Sequence, residues 1–366
     1  MYDLANQSFQ LLINTLLFSL FVSAVIVGDP DKGQRVWSYM VAGQLVLVIL
    51  LSPVLGALAD IRAWKREILL GTGVVCAAFT CLLSLLGPGQ VWIAAAIYLV
   101  AALACGLGEN FLGAFLPQIS TPRTIGRVSA IGWTMSYVGA LLLLGIAAAY
   151  IYGLNRSEPV QMRPMFLFSG LWFAAGMIPA VLYLRERERA PRGRIVGRGP
   201  FGRLLDSARH TREFSQLARF LGIFFIYTIG VQTVIFFLGL IGTSLGFPLK
   251  QLILFALVMA ATAGVGAILT ARYQDRFGHR NTILVFLAIW FVSTLAMALA
   301  RDPGQANAVF WLISGGIGLA LGGIGTASRA TVGLFTPSHR AAEFFGLWGM
   351  ATKLASITGA LVFGQL

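Results

Sequence analysis

Charged side chains are scarce in this chain. Asp, Glu, Lys and Arg make up 11% of its 366 residues, whereas hydrophobic residues make up 57%. A soluble protein of this length covers its surface with polar and charged groups, and too few are available here to cover a globule. The mean hydropathy of +0.80 points the same way. The composition therefore excludes an ordinary soluble enzyme or binding domain and indicates a protein that spans a membrane.

Cysteine and histidine are equally rare, with three residues of each. The cysteines lack CxxC spacing and lie within apolar runs, which predicts small buried side chains rather than disulfides or metal ligands. The histidines occur singly, and neither clustered histidines nor paired aspartates recur at helical spacing within the apolar runs. The sequence therefore predicts no metal site, no cofactor and no intramembrane enzyme. The residues concerned are Cys76, Cys81, Cys105, His210, His279 and His339.

Long apolar runs are what the sequence has in abundance. Eleven stretches of 18 or more residues occur, and each is long enough to cross about 30 Å of hydrocarbon as a helix. None shows the ten-residue alternation of outer-membrane strands, so the predicted fold is an all-α polytopic bundle. The runs lie at 7–28, 36–59, 68–86, 91–117, 128–152, 163–184, 218–244, 251–271, 281–300, 306–327 and 343–366.

The placement of the 27 basic residues predicts the orientation of the chain. With the N-terminus in the cytoplasm, 20 of them, Arg329 included, fall in cytoplasmic connections and six in external ones. The opposite orientation inverts this ratio, and positive charge collects on the cytoplasmic side of membrane proteins. We therefore expect a cytoplasmic N-terminus, with anionic lipid headgroups beside the basic connections. No basic patch is interleaved with aromatic residues, so nucleic-acid binding is not expected.

One long connection divides the chain. Residues 185–217 are rich in arginine and glycine and lack a sustained apolar period, which is typical of a linker. They separate residues 1–184, with six apolar runs, from residues 218–366, with five. The linker can be interpreted as a regulatory or partner-binding loop, or as a tether that holds two bundles on the same side of the membrane. We predict two pseudo-symmetric transmembrane halves joined by a cytoplasmic linker.

A charged segment returns at equivalent places in the two halves. The first copy reads GALADIRAWKRE from Gly56 to Glu67, and the second contains DRFGHR from Asp275 to Arg280. In each copy an acidic residue ends one helix, a tight turn follows, and basic residues open the next helix. Asp60 and Asp275 are 215 positions apart. Such internal repetition is typical of a helical bundle built from two related halves.

The repeated segment resembles the signature loop of the major facilitator superfamily, G-x-x-x-D-x-x-G-[RK]-[RK]. The resemblance implies that Gly56 allows close helix packing. It also implies that Asp60 pairs with Lys65, Arg66 and a helix end across the interface between the halves, which helps to hold one of two transport states. Ala63 stands where the pattern has its turn glycine. The residues assigned to these two gate loops are Gly56, Asp60, Lys65, Arg66, Asp275, Arg276, Gly278 and Arg280.

Four further segments are similar to the vacuole-effluxer-like branch, which is named for autophagy-related fungal amino-acid exporters. This resemblance covers essentially the whole chain. The family plan has twelve spans, so the resemblance implies a missing twelfth span and a sequence clipped at one or both ends. The segments are YDLANQSF from Tyr2, FLPQISTPRTIGRVSAIGWTMSYVGALLLL from Phe115, GVQTVI from Gly230 and SRATVGLFTPSHRAAEFFGL from Ser328.

Few polar side chains lie within the apolar runs, and because charge at the bilayer centre is costly, each is a candidate solute or proton site. Asp3 and Asn6 share one helix face and match the family motif Y-D-x-A-N. Glu109 and Asn110 lie deep in the fourth run, where a buried carboxylate could carry a proton. The ammonium of Lys353, well inside the eleventh run, could pair with Glu109 or bind a solute carboxylate. The alternative for each is a structural role, as a cap, an interhelix contact or a side chain that reaches the interface.

Together these features predict a secondary transporter that moves a small organic solute by alternating access. Proton-coupled amino-acid efflux is the form that the resemblance favours. The alternative is a transport-inactive membrane scaffold or sensor with the same fold, because Ile229 stands where the family commonly has an acidic residue. We expect a multi-pass monomer in the cell membrane of a bacterium, with a small solute and protons as its partners.

Overall fold

The computed structural model describes residues 1–156, 158–186, 215–244, 249–299 and 303–363. In these ranges the regular secondary structure is helical and no residue lies in a β-strand. Ten of the described helices are long and apolar enough to cross a membrane, which confirms the predicted all-α membrane bundle. Most of the predicted linker 185–217 lies outside the described residues.

The long helices follow the predicted runs, and an eleventh helix of 23 residues matches the last of them. In chain order the helices are α1 Tyr2–Val27, α2 Pro30–Arg62, α3 Lys65–Leu85, α4 Val91–Ile119, α5 Ile125–Gly153, α6 Pro159–Tyr183, α7 Ser215–Ser244, α8 Leu249–Phe277, α9 His279–Leu299, α10 Pro303–Phe335 and α11 Ala341–Phe363.

Helix α2 begins six residues before its apolar run because its first turn is capped. Asp29 precedes the helix, and its carboxylate accepts the backbone N–H groups of Asp31 and Lys32 at 3.0 and 3.1 Å. Pro30 occupies the first helical position, where a missing N–H costs nothing. The polar first turn therefore joins the apolar segment in one continuous helix.

Helix α1 departs from regular α-helical geometry. Residues Ser8–Leu17 and Val22–Val27 are π-helical, with a short α-helical segment, Phe18–Phe21, between them. In the first stretch the Thr15 hydroxyl donates to the backbone carbonyl of Gln10, five residues back, at 2.8 Å. Extended π-helix is rare in proteins and is found most often at functional sites.

The turns of both gate loops use left-handed backbone. Ala63 has φ of 54° between α2 and α3, and Gly278 has φ of 84° between α8 and α9. Glycine adopts this conformation without steric cost, whereas alanine pays about 1–2 kcal/mol. The alanine that departs from the family pattern therefore adopts the backbone conformation that the pattern's glycine favours.

The contacts between residues divide the chain into two compact units, and α5 and α11 each contribute to both. The first 13 residues of α5 belong to the second unit, and residues 341–350 of α11 belong to the first. The predicted division into 1–184, 185–217 and 218–366 stays a prediction. The first unit comprises 1–115, 138–209 and 338–350, and the second 116–137, 210–337 and 351–366.

The first unit has an aromatic core between α1 and α6. The rings of Phe18 and Phe21 lie 5.6 and 5.1 Å from that of Phe166. At the start of α1, the Tyr2 ring lies 5.6 Å from that of Phe173. Helix α3 packs against α4 and α6, and α2 packs against α4. These contacts bring polar residues of α1, α2 and α4 close to one another inside one unit.

The second unit is built around the glycine-rich α10, which packs against α8 and α9. A side chain at Gly322 would collide with the backbone carbonyl of Ala263 in α8. On the other side of α10, Ile317 packs in a buried cluster with Phe286 and Trp290 of α9. The glycines of α10 thus allow the backbones of two helices to approach closely.

Candidate functional site

The gate loop of the first unit is built on a buried ion pair. Asp60 lies in the last turn of α2, and its carboxylate is completely buried. The Lys65 ammonium, in the first turn of α3, lies 3.0 Å from Asp60 Oδ1 and also donates to the carbonyl oxygen of Ser338 at 2.8 Å. The left-handed residue Ala63 reverses the chain between them. The tight turn thus brings an acid and a base together out of solvent.

The same carboxylate caps the N-terminus of α11. Asp60 Oδ1 accepts the N–H of Ala342 at 3.2 Å, and Oδ2 accepts that of Glu343 at 2.7 Å. The first N–H groups of a helix lack partners within it and carry partial positive charge, so a carboxylate is stabilised there. Gly56, one turn earlier in α2, allows the contact because a side chain would collide with the carbonyl of Ala342.

The helix start that Asp60 caps carries its own ion pair. Glu343 is completely buried, and its carboxylate accepts two hydrogen bonds from the guanidinium of Arg340, at 2.8 and 3.0 Å. Every charge around this helix end is therefore matched by an opposite charge or by backbone N–H groups, as a buried ionic site requires.

Arg66, expected beside Asp60, binds elsewhere. Its guanidinium donates to the carbonyl oxygens of Val181 and Leu184 at 2.7 Å each, at the end of α6. Its backbone N–H donates to the carboxylate of Glu186 at 3.2 Å. Arg66 follows Lys65 directly in α3, and successive side chains on a helix point in different directions. Arg66 therefore reaches α6, whereas Lys65 reaches Asp60. Arg66 therefore satisfies the last carbonyl groups of α6.

The second gate loop has the same plan. Asp275, near the end of α8, accepts the N–H groups of Gly126 and Arg127 at 2.9 and 3.0 Å, in the first turn of α5. Gly278 provides the left-handed turn into α9. Arg276 and Arg280 lie exposed. We call these two arrangements, Asp60 on α11 and Asp275 on α5, the two acid caps.

The helix starts that receive the caps also repeat in the sequence. Thr121 and Pro122 precede α5, and Thr336 and Pro337 precede α11 at the same offset of 215 positions that separates Asp60 from Asp275. These receiving segments were not predicted from the sequence, whereas the two acidic copies were. The repeated Thr-Pro pair was the signal that could have identified them.

The predicted placement of Arg329 in a cytoplasmic connection is wrong. Helix α10 continues to Phe335, and Arg329 lies inside it with only 8% of its surface exposed. Its guanidinium donates to the carbonyl oxygen of Ser129 in α5 at 2.8 Å and lies 5.7 Å from the centre of the Trp133 ring. The apolar run ended near residue 327, but hydrogen bonds to a neighbouring helix allow a buried arginine beyond it.

The residues predicted at the start of α1 form a polar contact with α4. Asn6 is buried, and its side-chain oxygen lies 2.9 Å from the Cys105 sulfur, which donates to it. The Tyr2 hydroxyl lies 3.4 Å from the carbonyl oxygen of Leu69. Asp3 is partly buried. The structure thus places Asn6 against α4, the helix that carries Glu109. This contact does not involve Asp3.

Asn110 and Glu109 point to different surroundings although they are neighbours. The Asn110 amide donates to the Ser52 hydroxyl at 2.6 Å, and that hydroxyl lies 3.3 Å from the carbonyl oxygen of Gly346 in α11. Gly349, one turn further along α11, lies against the same amide. Glu109 is partly buried and forms no ion pair among the described residues of its own unit.

Lys353 lies in the part of α11 that belongs to the second unit. It is partly buried, and no ion pair of its ammonium occurs among the described residues of that unit. One turn further on, Ser356 accepts a hydrogen bond from the Gln232 amide of α7 at 2.8 Å. A lysine within an apolar helix is thus kept beside a polar interhelix contact.

Comparison with known proteins agrees with this architecture. Residues 34–366 match the sequence model of the family described as vacuole effluxer Atg22 like. The chain is 24% identical to the MFS-type transporter YxiO of Bacillus subtilis, with 99% of this chain and 86% of that protein covered. It is 22% identical to autophagy-related protein 22 of Saccharomyces cerevisiae, with 96% and 75% covered.

Solved structures of transporters share the fold. The human organic anion transporter MFSD10 (TETRAN) superimposes with a TM-score of 0.76 at 17% identity, over 99% of this chain and 90% of that one. The proton:xylose symporter XylE superimposes with a TM-score of 0.70 at 13% identity, over 100% and 86%. At such identities the likeness establishes the fold. The family match confirms the resemblance that the sequence segments indicated.

Proposed function

The chain belongs to the vacuole effluxer Atg22-like family of MFS-type transporters, and we propose that it is a secondary transporter that moves a small organic solute by alternating access. The observation that carries the proposal is the pair of acid caps, with Asp60 on α11 and Asp275 on α5. The two caps are equivalent, and their aspartates are 215 positions apart in the sequence. A transporter of two related halves would use such a pair to stabilise one of its states.

The chemistry of the caps supports a switch between discrete states. Asp60 is buried, so it needs Lys65 and the N–H groups of α11 to compensate its charge. A partly opened cap would leave charge buried without a partner, which costs several kcal/mol. The favourable arrangements are therefore a closed cap and one in which water reaches the carboxylate. We infer that solute binding shifts the balance between these two arrangements.

The proposed solute and proton sites are the ionisable groups inside helices α4 and α11. Glu109 would carry the proton, and Lys353 would bind a carboxylate of the solute. What supports this is their position within long apolar helices and the lack of an ion pair for either one among the described residues of its own unit. Asp3 and Asn6 would complete the polar lining at the start of α1, and Asn110 would support Glu109.

Amino-acid efflux is the specific form that we propose. It is supported by the family description, vacuole effluxer, and by the relatives named autophagy-related protein 22. The two structural neighbours named above are described as an organic anion transporter and a proton:xylose symporter, so the fold itself accommodates chemically different solutes.

The protein is a multi-pass membrane protein, and we propose that it resides in the cell membrane of a bacterium as a monomer. The excess of basic residues on one side of the predicted spans supports a cytoplasmic N-terminus and anionic lipids as neighbours of that side.

Uptake into proteoliposomes tests the function. We expect the purified protein to accumulate a labelled solute from a panel of amino acids when a pH gradient is applied. Glu109→Gln should abolish accumulation driven by the gradient but retain solute exchange, because a neutral amide cannot carry the proton. Lys353→Ala should weaken solute binding. Glu158→Gln and Lys32→Ala, at exposed positions, are the matched controls.

Two outcomes would contradict different parts of the proposal. Variants of Glu109 and Lys353 that transport at the parental rate, with the parental pH dependence, would show that these residues are structural. The absence of flux of any solute through the parental protein would favour the alternative, a transport-inactive scaffold or sensor.

A further inference from the structure

An uncharged polar cluster lies in the first unit, apart from the acid caps and from the ionisable residues discussed above. Tyr98 of α4 is completely buried, and its hydroxyl donates to the side-chain oxygen of Asn14 in α1 at 2.5 Å. The side-chain oxygen of Gln44 in α2 lies 3.5 Å from the same hydroxyl. Three helices that are separate in sequence thus place two amides around one phenol.

Aromatic rings form a wall around this cluster. The ring of Trp37 lies 4.8 Å from that of Tyr98, and the rings of Phe18 and Phe9 lie 5.7 and 6.3 Å from it. Phe9, Phe18 and Tyr98 are almost completely buried against one another, whereas Trp37 is partly exposed. The face of Trp37 is therefore the apolar surface against which the carbon frame of a small molecule can pack. The cluster therefore combines a few directed polar groups with an apolar surround.

The hydrogen bonds that are present leave donors for a ligand. Both amides turn their oxygens toward the Tyr98 hydroxyl, so their NH₂ groups face away from it. Within the described ranges these NH₂ groups have no hydrogen-bond acceptor. Asn14 is only partly buried, whereas Gln44 and Tyr98 are buried, so Asn14 is the outermost polar group of the cluster. An amide donor without an acceptor is unfavourable inside a protein, and an oxygen atom from outside the chain would satisfy it.

The local backbone also sets this position apart. Asn14 lies in the π-helical stretch Ser8–Leu17. The hydrogen bonds of a π-helix join residues five positions apart instead of four. A return to α-helical hydrogen bonding would shift the register of α1 and move Asn14 relative to Tyr98. Such stretches are uncommon where only packing is needed and frequent at functional sites. The geometry therefore allows the cluster to differ between two states of α1.

We propose that Asn14, Gln44 and Tyr98 form a subsite that binds an uncharged hydroxyl or carbonyl group of the transported solute, while the partly exposed ring of Trp37 covers its carbon frame. An uncharged group is favoured because the three side chains are neutral and an ionic group would lose its hydration there without a counter-charge. The inference rests on the proposed transport function and adds the chemistry by which a solute is selected.

Pairs of solutes that differ by one oxygen test the subsite. The pairs are threonine and valine, lactate and propionate, and glucose and 2-deoxyglucose, each offered to proteoliposomes that contain the full chain. For the pair that is transported, we expect the parental protein to prefer the solute with the additional oxygen about ten-fold or more in kcat/KM. The solute without this oxygen offers the amide NH₂ groups no acceptor. In Asn14→Leu and Gln44→Leu the ratio should fall toward one while the poorer member is still transported.

Two further variants separate selection from folding. Tyr98→Phe keeps the ring, removes the hydroxyl that donates to the Asn14 oxygen, and should reduce the ratio partially. Gln10→Leu replaces another amide of the same π-helical stretch and should leave the ratio unchanged. A ratio that stays at its parental value in Asn14→Leu, Gln44→Leu and Tyr98→Phe would overturn the subsite alone. Absence of uptake of every pair, and of every amino acid, by the parental protein would overturn the proposed function with it.

Discussion

At the scale of single residues, the buried charge of the first gate loop is surrounded by partners. Asp60 illustrates this, because its carboxylate is held by Lys65 and by two backbone N–H groups at the start of α11. In Ala63 the same turn contains an unfavourable feature, a side chain on left-handed backbone. Single substitutions can therefore test the backbone conformation of the turns separately from the charged residues beside them.

Substitution at the left-handed turns of the two gate loops should have opposite effects on stability. Ala63→Gly relieves the steric cost at φ of 54° and should stabilise the protein by about 0.5–1 kcal/mol after the added entropy of the unfolded chain is subtracted. Gly278→Ala introduces that cost and should destabilise it by about 1 kcal/mol. The midpoint of thermal unfolding in detergent measures both.

Gly71→Ala is the control for this comparison. Gly71 lies within α3 with no atom close to the position of an added side chain, so alanine should stabilise the helix slightly. A lower unfolding midpoint for Ala63→Gly than for the parental protein would show that its turn conformation is not under strain.

Glu186, just beyond α6, should make stability depend on pH. Partial burial raises the pKa of Glu186, while the Arg66 N–H and the Lys65 charge oppose the rise. The folded protein then holds the proton more tightly than the unfolded chain, so this contribution is present at pH below the ordinary glutamate pKa and is lost as pH rises through the raised value. Unfolding midpoints measured between about pH 4 and about pH 7 cover this window.

Glu186→Gln, which cannot ionise, should remove this loss of stability, with a difference of less than about 1 kcal/mol because the residue is partly exposed. Glu158→Gln, at an exposed position at the other end of α6, should retain the parental pH profile. Identical profiles for the parental protein and Glu186→Gln would contradict the proposed effect of burial.

At the scale of helices, the contacts depend on where glycine permits close approach. Helix α10 illustrates this, because Gly322 lies against the backbone of α8 whereas Gly315, two turns earlier, has no atom nearer than 3.9 Å to an added side chain. The two positions therefore form a matched pair on one helix.

Gly322→Ala should destabilise the second unit by about 1–3 kcal/mol, since its side chain would force α10 away from Ala263. Gly315→Ala should have no effect or a slight stabilising one. Thermal unfolding of both variants in the same detergent is the measurement. Equal midpoints for the two would mean that α8 and α10 adjust without cost and that the glycines are not required for packing.

Most helices could be predicted from the sequence, because a run of apolar residues long enough to span hydrocarbon leaves the backbone little alternative to a helix. The pairing of Asp60 with Lys65 was implied by the resemblance of this segment to the signature loop of the major facilitator superfamily. No pattern in the sequence indicated the π-helical part of α1. The direction of Arg66 and the burial of Arg329 did not follow either, because each depends on a neighbouring helix that is distant in sequence. The Asn14, Gln44 and Tyr98 cluster escaped prediction for the same reason.

At the scale of the whole molecule, the two acid caps are the feature that links the repeat in the sequence to transport. Each cap lies within one unit, and each helix that receives a cap, α5 or α11, continues into the other unit. If the chain alternates between two states, both caps should be closed in the same state. The loss of either cap should then shift the whole protein, and not only the unit in which the cap lies.

Accessibility of a cysteine at Ala342 tests this central claim most directly. Ala342 is 2% exposed at the start of α11, beside Asp60, so Ala342→Cys, in a background without the three native cysteines, should react slowly with a water-soluble maleimide. Asp60→Asn should shift the equilibrium by about 1–2 kcal/mol and accelerate labelling about 5–30-fold. Asp275→Asn, in the other unit, should accelerate labelling of the same cysteine by a similar factor, whereas the exposed control Asp31→Asn should not. If Asp275→Asn leaves the labelling rate at its parental value, the caps act independently, and the claim that they hold one common transport state is wrong.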